Sequence, residues 1–312
     1  MNSYKPEGML ISTERNYEYI SSERGLEKAL EKQIILEAPV TLADHELNLY
    51  VDLGQGIKGI IPHNEVLYTR PDESVKDIAI LTRVGKVVAF KVVGFERRVG
   101  GTVAILSRRA AQLECMNNYI ASLSSGDIIP SKITHLENFG AFVDIGCGII
   151  SLLSIDCISV SRISHPSARL SVGDMIYTVI RSIDEKGRVY VSHRELLGTW
   201  EENAANFSEG ETVRGIVRSI ESYGIFVELK PNLAGLAEYR SDIYPGQTAA
   251  VYIKSIIPEK MKVKLVLIDH TSSFDLPSPI KYYTDVSSVK HIDRWVYSPS
   301  VCNRTVESIF ES

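Results

Sequence analysis

Phe139-Gly140-Ala141-Phe142-Val143-Asp144 is answered 84 residues later by Tyr223-Gly224-Ile225-Phe226-Val227-Glu228, and the same offset carries Gly126-Asp127-Ile128-Ile129 onto Gly210-Glu211-Thr212-Val213. A fixed period marks one structural unit copied in tandem, so a single module has to be read. In the later copy Val213, Gly215 and Val217 alternate with Arg214, Ile216 and Arg218, the period of two of a strand with one buried face. A turn at Glu221-Ser222 leads to the β-branched and aromatic run Ile225 to Leu229, and past Pro231-Asn232 comes the apolar segment Leu233 to Ala237. Gly246-Gln247 then opens Thr248 to Ile257, and Lys262 to Ile268 alternates charged with apolar side chains.

The earlier copy repeats this order, with strands expected near Asp127 to Leu136, Ala141 to Ile145, Ile149 to Leu153, Asp174 to Ile183 and Arg188 to Ser192, and a longer connection from Asp156 to Val172. Five strands in about sixty residues leave no room for a helix on each, which excludes a parallel sheet and favours a small antiparallel barrel. The five-stranded oligonucleotide/oligosaccharide-binding (OB) barrel is the expected unit.

Gly126 to Arg194 resembles an S1 domain, the RNA-binding barrel repeated in the largest small-subunit ribosomal protein. The resemblance is carried by Phe139-Gly-Ala-Phe142-Val-Asp144, Arg162-Ile-Ser-His165-Pro166, Val172-Gly173-Asp174, Ile183-Asp184 and Gly187-Arg188-Val189. Gly210 to Asp269 is similar but compressed between its third and fourth strands. A degenerate copy lies upstream, where Leu47 to Leu53 stands for Phe139 to Ile145, Gly59-Ile60-Ile61-Pro62 for Gly148 to Ser151, and Val84-Gly85-Lys86 for Val172-Gly173-Asp174. The expected fold is therefore all-β: three tandem five-stranded antiparallel OB-fold barrels of S1 type, joined by short helices. The expected organisation is a tail at 1–22, barrel 1 with a leading helix at 23–111, barrel 2 at 112–207, barrel 3 at 208–270 and an extension at 271–312.

Arg108 to Leu123 and Arg194 to Phe207 lack Pro and suit short linking helices, with Trp200 placed to pack its helix on a barrel. Glu23 to Gln33 reads as a helix with Leu26 and Leu30 on one side. In the extension, Ile280 to Asp285 and His291 to Tyr297 read as two short strands whose aromatics, Tyr282, Tyr283, Trp295 and Tyr297, pack on a neighbour.

No basic and apolar leader or membrane-length apolar run is present, so a cytoplasmic location without a membrane partner is expected. Cys115, Cys147, Cys157 and Cys302 have no paired spacing that would hold zinc and read as free thiols. Gly85-Lys86 ends like a phosphate loop, but Ile80 stands where its first Gly belongs; His45-Glu46 begins like a zinc-protease motif, but Leu49 replaces its second His. Neither catalytic residues, nor a cofactor, nor a metal is expected.

The net charge of −5 argues against a grip by charge alone. Acids lead bases 11 to 7 from Ala111 to Asn206, so RNA binding by the second barrel has to lean on stacking. Phe139 with Phe142, and Tyr223 with Phe226, offer rings at identical spacing. Residues three apart on a regular strand point to opposite faces, so both rings share a surface only if the pleat breaks at Gly140 and Gly224; otherwise each pair is split between core and surface. The S1 resemblance implies RNA contacts at Phe139, Phe142, Asp184 and Arg188 in barrel 2, with Ser151 at a position the family usually fills with His. It implies Tyr223, Phe226 and Lys262 in barrel 3, with Glu238 at the His position. In barrel 1 it leaves only Tyr50, with Pro62 and Thr102 at the His and Arg positions. His63 reads as a surface-loop residue, while Arg162, His165 and Arg169 either reach phosphates or sit in a solvated loop.

The resemblance thus implies a non-enzymatic binder of single-stranded RNA, messenger RNA in translation, with the small ribosomal subunit as a further partner. The alternatives are an interaction module docking on a ribosome, RNA polymerase or ribonuclease, and a regulatory subunit of an RNA-processing enzyme.

Overall fold

The computed structural model describes residues 4–69, 76–98, 101–274 and 280–310. Two compact units divide the chain, residues 1–123 with 144–150 and residues 124–143 with 151–312.

In the first unit, Thr13 and Ser22 cap the short helices α1 (Glu14–Ile20) and α2 (Glu23–Glu31) by accepting from the backbone of Asn16 and Gly25. Strands β1 (Ile35–Ala43), β2 (Leu49–Asp52), β3 (Lys58–Ile61), β4 (Val87–Arg98) and β5 (Gly101–Ser107) close into a barrel, with helix α3 (Asp77–Leu81) between β3 and β4. Leu26 and Ala29 of α2 join Leu36, Val51, Phe90 and Leu106 in its core. Helix α4 (Arg108–Asn118), capped by Ser107, follows at once.

Residues 4–22 are not the tail that sequence reading expects. The backbone N–H groups of Leu10 and Ile11 donate to Glu37 Oε2 at 2.8 and 2.9 Å, and Glu7, 6% exposed, accepts from Arg108 Nε at 2.7 Å. Asp144 closes this cluster by accepting from the backbone of Glu7, Gly146 and Gly148 at 2.7, 2.8 and 3.0 Å. Hydrogen bonds to buried acidic and basic side chains hold this segment, together with Tyr19 and Ile20, which pack on the barrel's core.

The second unit carries the barrel β6 (Ile128–Glu137), β7 (Gly140–Asp144), β8 (Ile150–Ser154), β9 (Met175–Ile183) and β10 (Val189–Ser192), whose β7–β8 connection belongs to the first unit. Helix α5 (Trp200–Ala204), with a Thr199/Glu202 capping box, leads to the barrel β11 (Thr212–Glu221), β12 (Gly224–Lys230), β13 (Leu233–Ala237), β14 (Gln247–Ile257) and β15 (Lys262–Phe274). Trp200 enters this barrel's core, as expected.

Each barrel contains one parallel pair, β3 with β5, β8 with β10 and β13 with β15. A ring of five strands cannot alternate direction all the way round, so the otherwise antiparallel expectation fails at one seam.

The extension differs from the expected hairpin. Ile280 to Asp285 is not a strand, and β16 (Arg294–Val296) pairs instead with β17 (Glu307–Ile309). Its aromatics do pack on their neighbours: Trp295 and Tyr297 are buried in the third barrel's cluster, and Tyr297 Oη donates to Asn232 O at 2.7 Å. Tyr282 Oη accepts from Tyr177 N, and His291 meets Asp127 at 2.7 Å on the second barrel. Cys115, Cys147 and Cys157 are buried free thiols, whereas Cys302 is only partly buried.

Candidate nucleic-acid interface

Phe139 and Tyr223 occupy turns that open β7 and β12, so the strand alternation that would separate each from its partner ring does not apply. The ring centroids of Phe139 and Phe142 lie 6.0 Å apart at 89°, and those of Tyr223 and Phe226 lie 6.2 Å apart at 90°. Phe139 is 55% and Tyr223 66% exposed, while Phe142 and Phe226 are half-buried. Each pair therefore shares one accessible surface with edge-to-face contact.

The intervening glycines are required by close approach. A Cβ on Gly140 would lie 2.4 Å from Leu153 O, and one on Gly224 would lie 2.5 Å from Ala237 O. Any side chain there would force apart the strand pair that presents the rings.

A ring unforeseen from the sequence joins the second barrel's pair. His135, exposed on β6, stacks at 24° and 6.3 Å from Phe142 and bonds to Glu137 at 2.7 Å. Register adds a further row. Phe226 pairs with Leu236 and Leu236 with Lys264 in the third barrel, while Leu152 pairs with Tyr190 in the second. The signal for Tyr190 and Lys264 was the outward phase of β10 and β15, legible once the register is fixed.

Asp184 and Arg188 bond to each other as a hairpin clasp. Arg188 Nε donates to Asp184 Oδ2 at 2.7 Å and Arg188 N to Asp184 Oδ1 at 2.8 Å. These bonds, the backbone one foremost, lower the Asp184 pKa. Strand β8 separates this clasp from β7, which carries Phe142. In the third barrel Lys262 and Lys264 are both exposed on β15.

Two carried-over positions shift. Ser151 is 2% exposed and donates to Val189 O at 2.6 Å, so it faces inward; the 84-residue offset from Glu238 leads instead to Ser154, which is partly exposed. In the first barrel Tyr50 pairs with Ile60 and Ile60 with Ile105, which places Val103, not Thr102, at the level of Arg188. Arg169 does not sit in a solvated loop: its side chain is largely buried against Glu228, to which its Nη1 donates at 2.8 Å. His165 is partly exposed and His63 lies on the surface.

Tyr50 faces a hollow of about 230 Å³ shared with Lys58, Ile60, Arg98 and Thr102. The first barrel thus has cations around one ring but no second ring at the spacing of Phe139.

Residues 122–194 match the S1 RNA binding domain family. The chain is 29% identical over 272 residues to small ribosomal subunit protein bS1 of Staphylococcus saprophyticus, covering 82% of this chain and 65% of that protein. It is 28% identical over 296 residues to bS1 of Staphylococcus aureus, covering 88% and 71%. The chain thus spans about two thirds of the length of these curated relatives. A solved multidomain protein with nucleic acid binding domains from Streptococcus pneumoniae is 15% identical, covering 76% of this chain and 73% of that one, with a TM-score of 0.24. The chain carries an S1 RNA binding domain in its second barrel and is a distant relative of bS1 over most of its length.

Proposed function

We propose that the protein binds single-stranded RNA without catalysing a reaction, through the aromatic surfaces of its second and third barrels, and that its RNA is messenger RNA engaged in translation. The observation that carries this reading is the repeated edge-to-face pair, Phe139 with Phe142 and Tyr223 with Phe226, held accessible on both barrels. Unpaired bases stack on such rings with little dependence on sequence, as a chain of net charge −5 requires. His135, Tyr190, Arg188, Lys262 and Lys264 complete the two contact surfaces. Relatedness to a small ribosomal subunit protein supports translation as the setting and the small subunit as a partner. The first barrel's row, Tyr50, Ile60 and Ile105, favours protein docking for that barrel.

Crosslinking in cells, with sequencing of bound RNA and identification of bound proteins, tests this assignment. Enrichment of messenger RNA that is lost on joint replacement of Phe139 and Phe142 by Ala supports it. A polymerase or nuclease captured without RNA refutes it.

A further inference from the structure

In the second unit a cavity of about 400 Å³ lies between the long loop of the second barrel, strands β11 and β12, and the start of the extension. This volume falls in the roughly 300–1,000 Å³ range of small-molecule sites. None of the aromatic-face residues lines it.

Its charge is unbalanced. Glu228, 5% exposed, is the carboxylate among the described lining residues, and it is already claimed twice, by Arg169 at 2.8 Å and by Arg218 at 2.8 Å. Burial alone would raise the Glu228 pKa, but the two guanidinium groups outweigh it and hold the carboxyl below its ordinary value. Two cations on one anion leave a positive surplus, to which Lys230 and Lys281 add. A surplus of positive charge around a partly enclosed cavity favours an anionic ligand.

The cavity also holds an unanswered acceptor. His193 is 1% exposed, and its Nδ1 lies 3.1 Å from Ile158 O. A carbonyl only accepts, so Nδ1 carries the proton; burial pushes the imidazole pKa down to about 4 and keeps the ring neutral. Nε2 is then a bare lone pair, buried and without a partner among the described residues. Such an atom calls for a donor from a bound molecule. Leu170, Ile216 and Pro231 supply an apolar wall. Tyr283 is fixed there, its backbone N–H donating to Leu196 O at 2.9 Å and its hydroxyl accepting from Asn206 at 3.0 Å.

Surplus cations, an apolar wall and one buried acceptor together describe a ligand with a phosphorylated end, a flat apolar body and an N–H donor. We infer that this cavity is a binding site for a small nucleotide, with the phosphates at Arg169, Arg218, Lys230 and Lys281 and a base N–H at His193 Nε2. The site is separate from the RNA faces and does not rest on them.

Calorimetric titration of the full chain with ADP, GDP, pyrophosphate and a short uridine oligonucleotide tests the assignment. One nucleoside diphosphate is expected to bind at least about tenfold more tightly than pyrophosphate, because the wall and His193 engage only the base and a single bond to a buried acceptor is worth that factor. Lys230→Glu with Lys281→Glu, both outside the hydrophobic clusters, should weaken that binding at least about tenfold at an unchanged melting temperature. Lys281→Ala alone should weaken it less. Phe139→Ala with Phe142→Ala should leave it unchanged, which separates its fate from that of the RNA surface. The inference is overturned if neither nucleotide binds at millimolar concentration, if pyrophosphate binds as tightly as both, or if the oligonucleotide displaces the nucleotide and loses equal affinity in the lysine variant.

Discussion

Joint replacement of Phe139 and Phe142 by Ala gives the sharpest test of the stacking surface. A base stacked on an aromatic ring gains roughly 1–3 kcal/mol, so two independent platforms would contribute about 2–6 kcal/mol. The geometry points to the lower end. The rings stand at 89° to one another, so they cannot sandwich consecutive bases in one continuous stack, and one face of Phe142 is already taken by His135. A loss of about 2 kcal/mol corresponds to roughly 30-fold weaker binding. Fluorescence anisotropy with a labelled uridine oligonucleotide at fixed salt reads this directly, and circular dichroism checks the fold. Phe139 is 55% exposed and Phe142 half-buried outside the core, so folding should survive with a modest fall in melting temperature. Unchanged affinity in a folded double variant refutes the stacking surface; an unfolded one shows that the rings are structural.

Further outcomes follow from the same structure. With few cations on the faces, log affinity should fall gently with log salt, at about −0.7 per neutralised phosphate, and a slope implying six or more contacts would reveal an unrecognised basic surface. Tyr297→Ala removes a buried ring and its bond to Asn232 O, so the second unit should lose about 3–5 kcal/mol in denaturant unfolding; a loss below about 1 kcal/mol would mean the extension does not complete that core. Burial pushes the Glu37 carboxyl up to about 7 from its ordinary value of 4.5. The folded state therefore holds a proton that the unfolded state releases, and stability should decline as pH rises from about 4.5 to 7. Glu37→Gln should flatten that decline, whose full span is about 3 kcal/mol; an unaltered pH profile would show that Glu37 titrates normally.

The fold was legible because its determinants are local and repeated. Strand alternation, the turn near Glu221-Ser222 and the 84-residue offset each depend on neighbours in the chain, and the second barrel's strands fall within one residue of their expected limits. The aromatic pairs could be named for the same reason. What the sequence left open was set by contacts between distant segments. His135 joins Phe142 only because β6 lies beside β7, and Ser151 faces inward only because of the barrel's register. Residues 4–22 read as a tail because they lack an apolar stripe, yet buried Glu37 and Arg108 hold them through bonds that no spacing encodes. Arg169, drawn as a loop cation, finds Glu228 from 59 residues away and takes part in a cavity composed of several separate segments. Hydrophobic period is a property of neighbours along the chain, whereas a buried charge or an unmatched lone pair is a property of whatever folding brings against it.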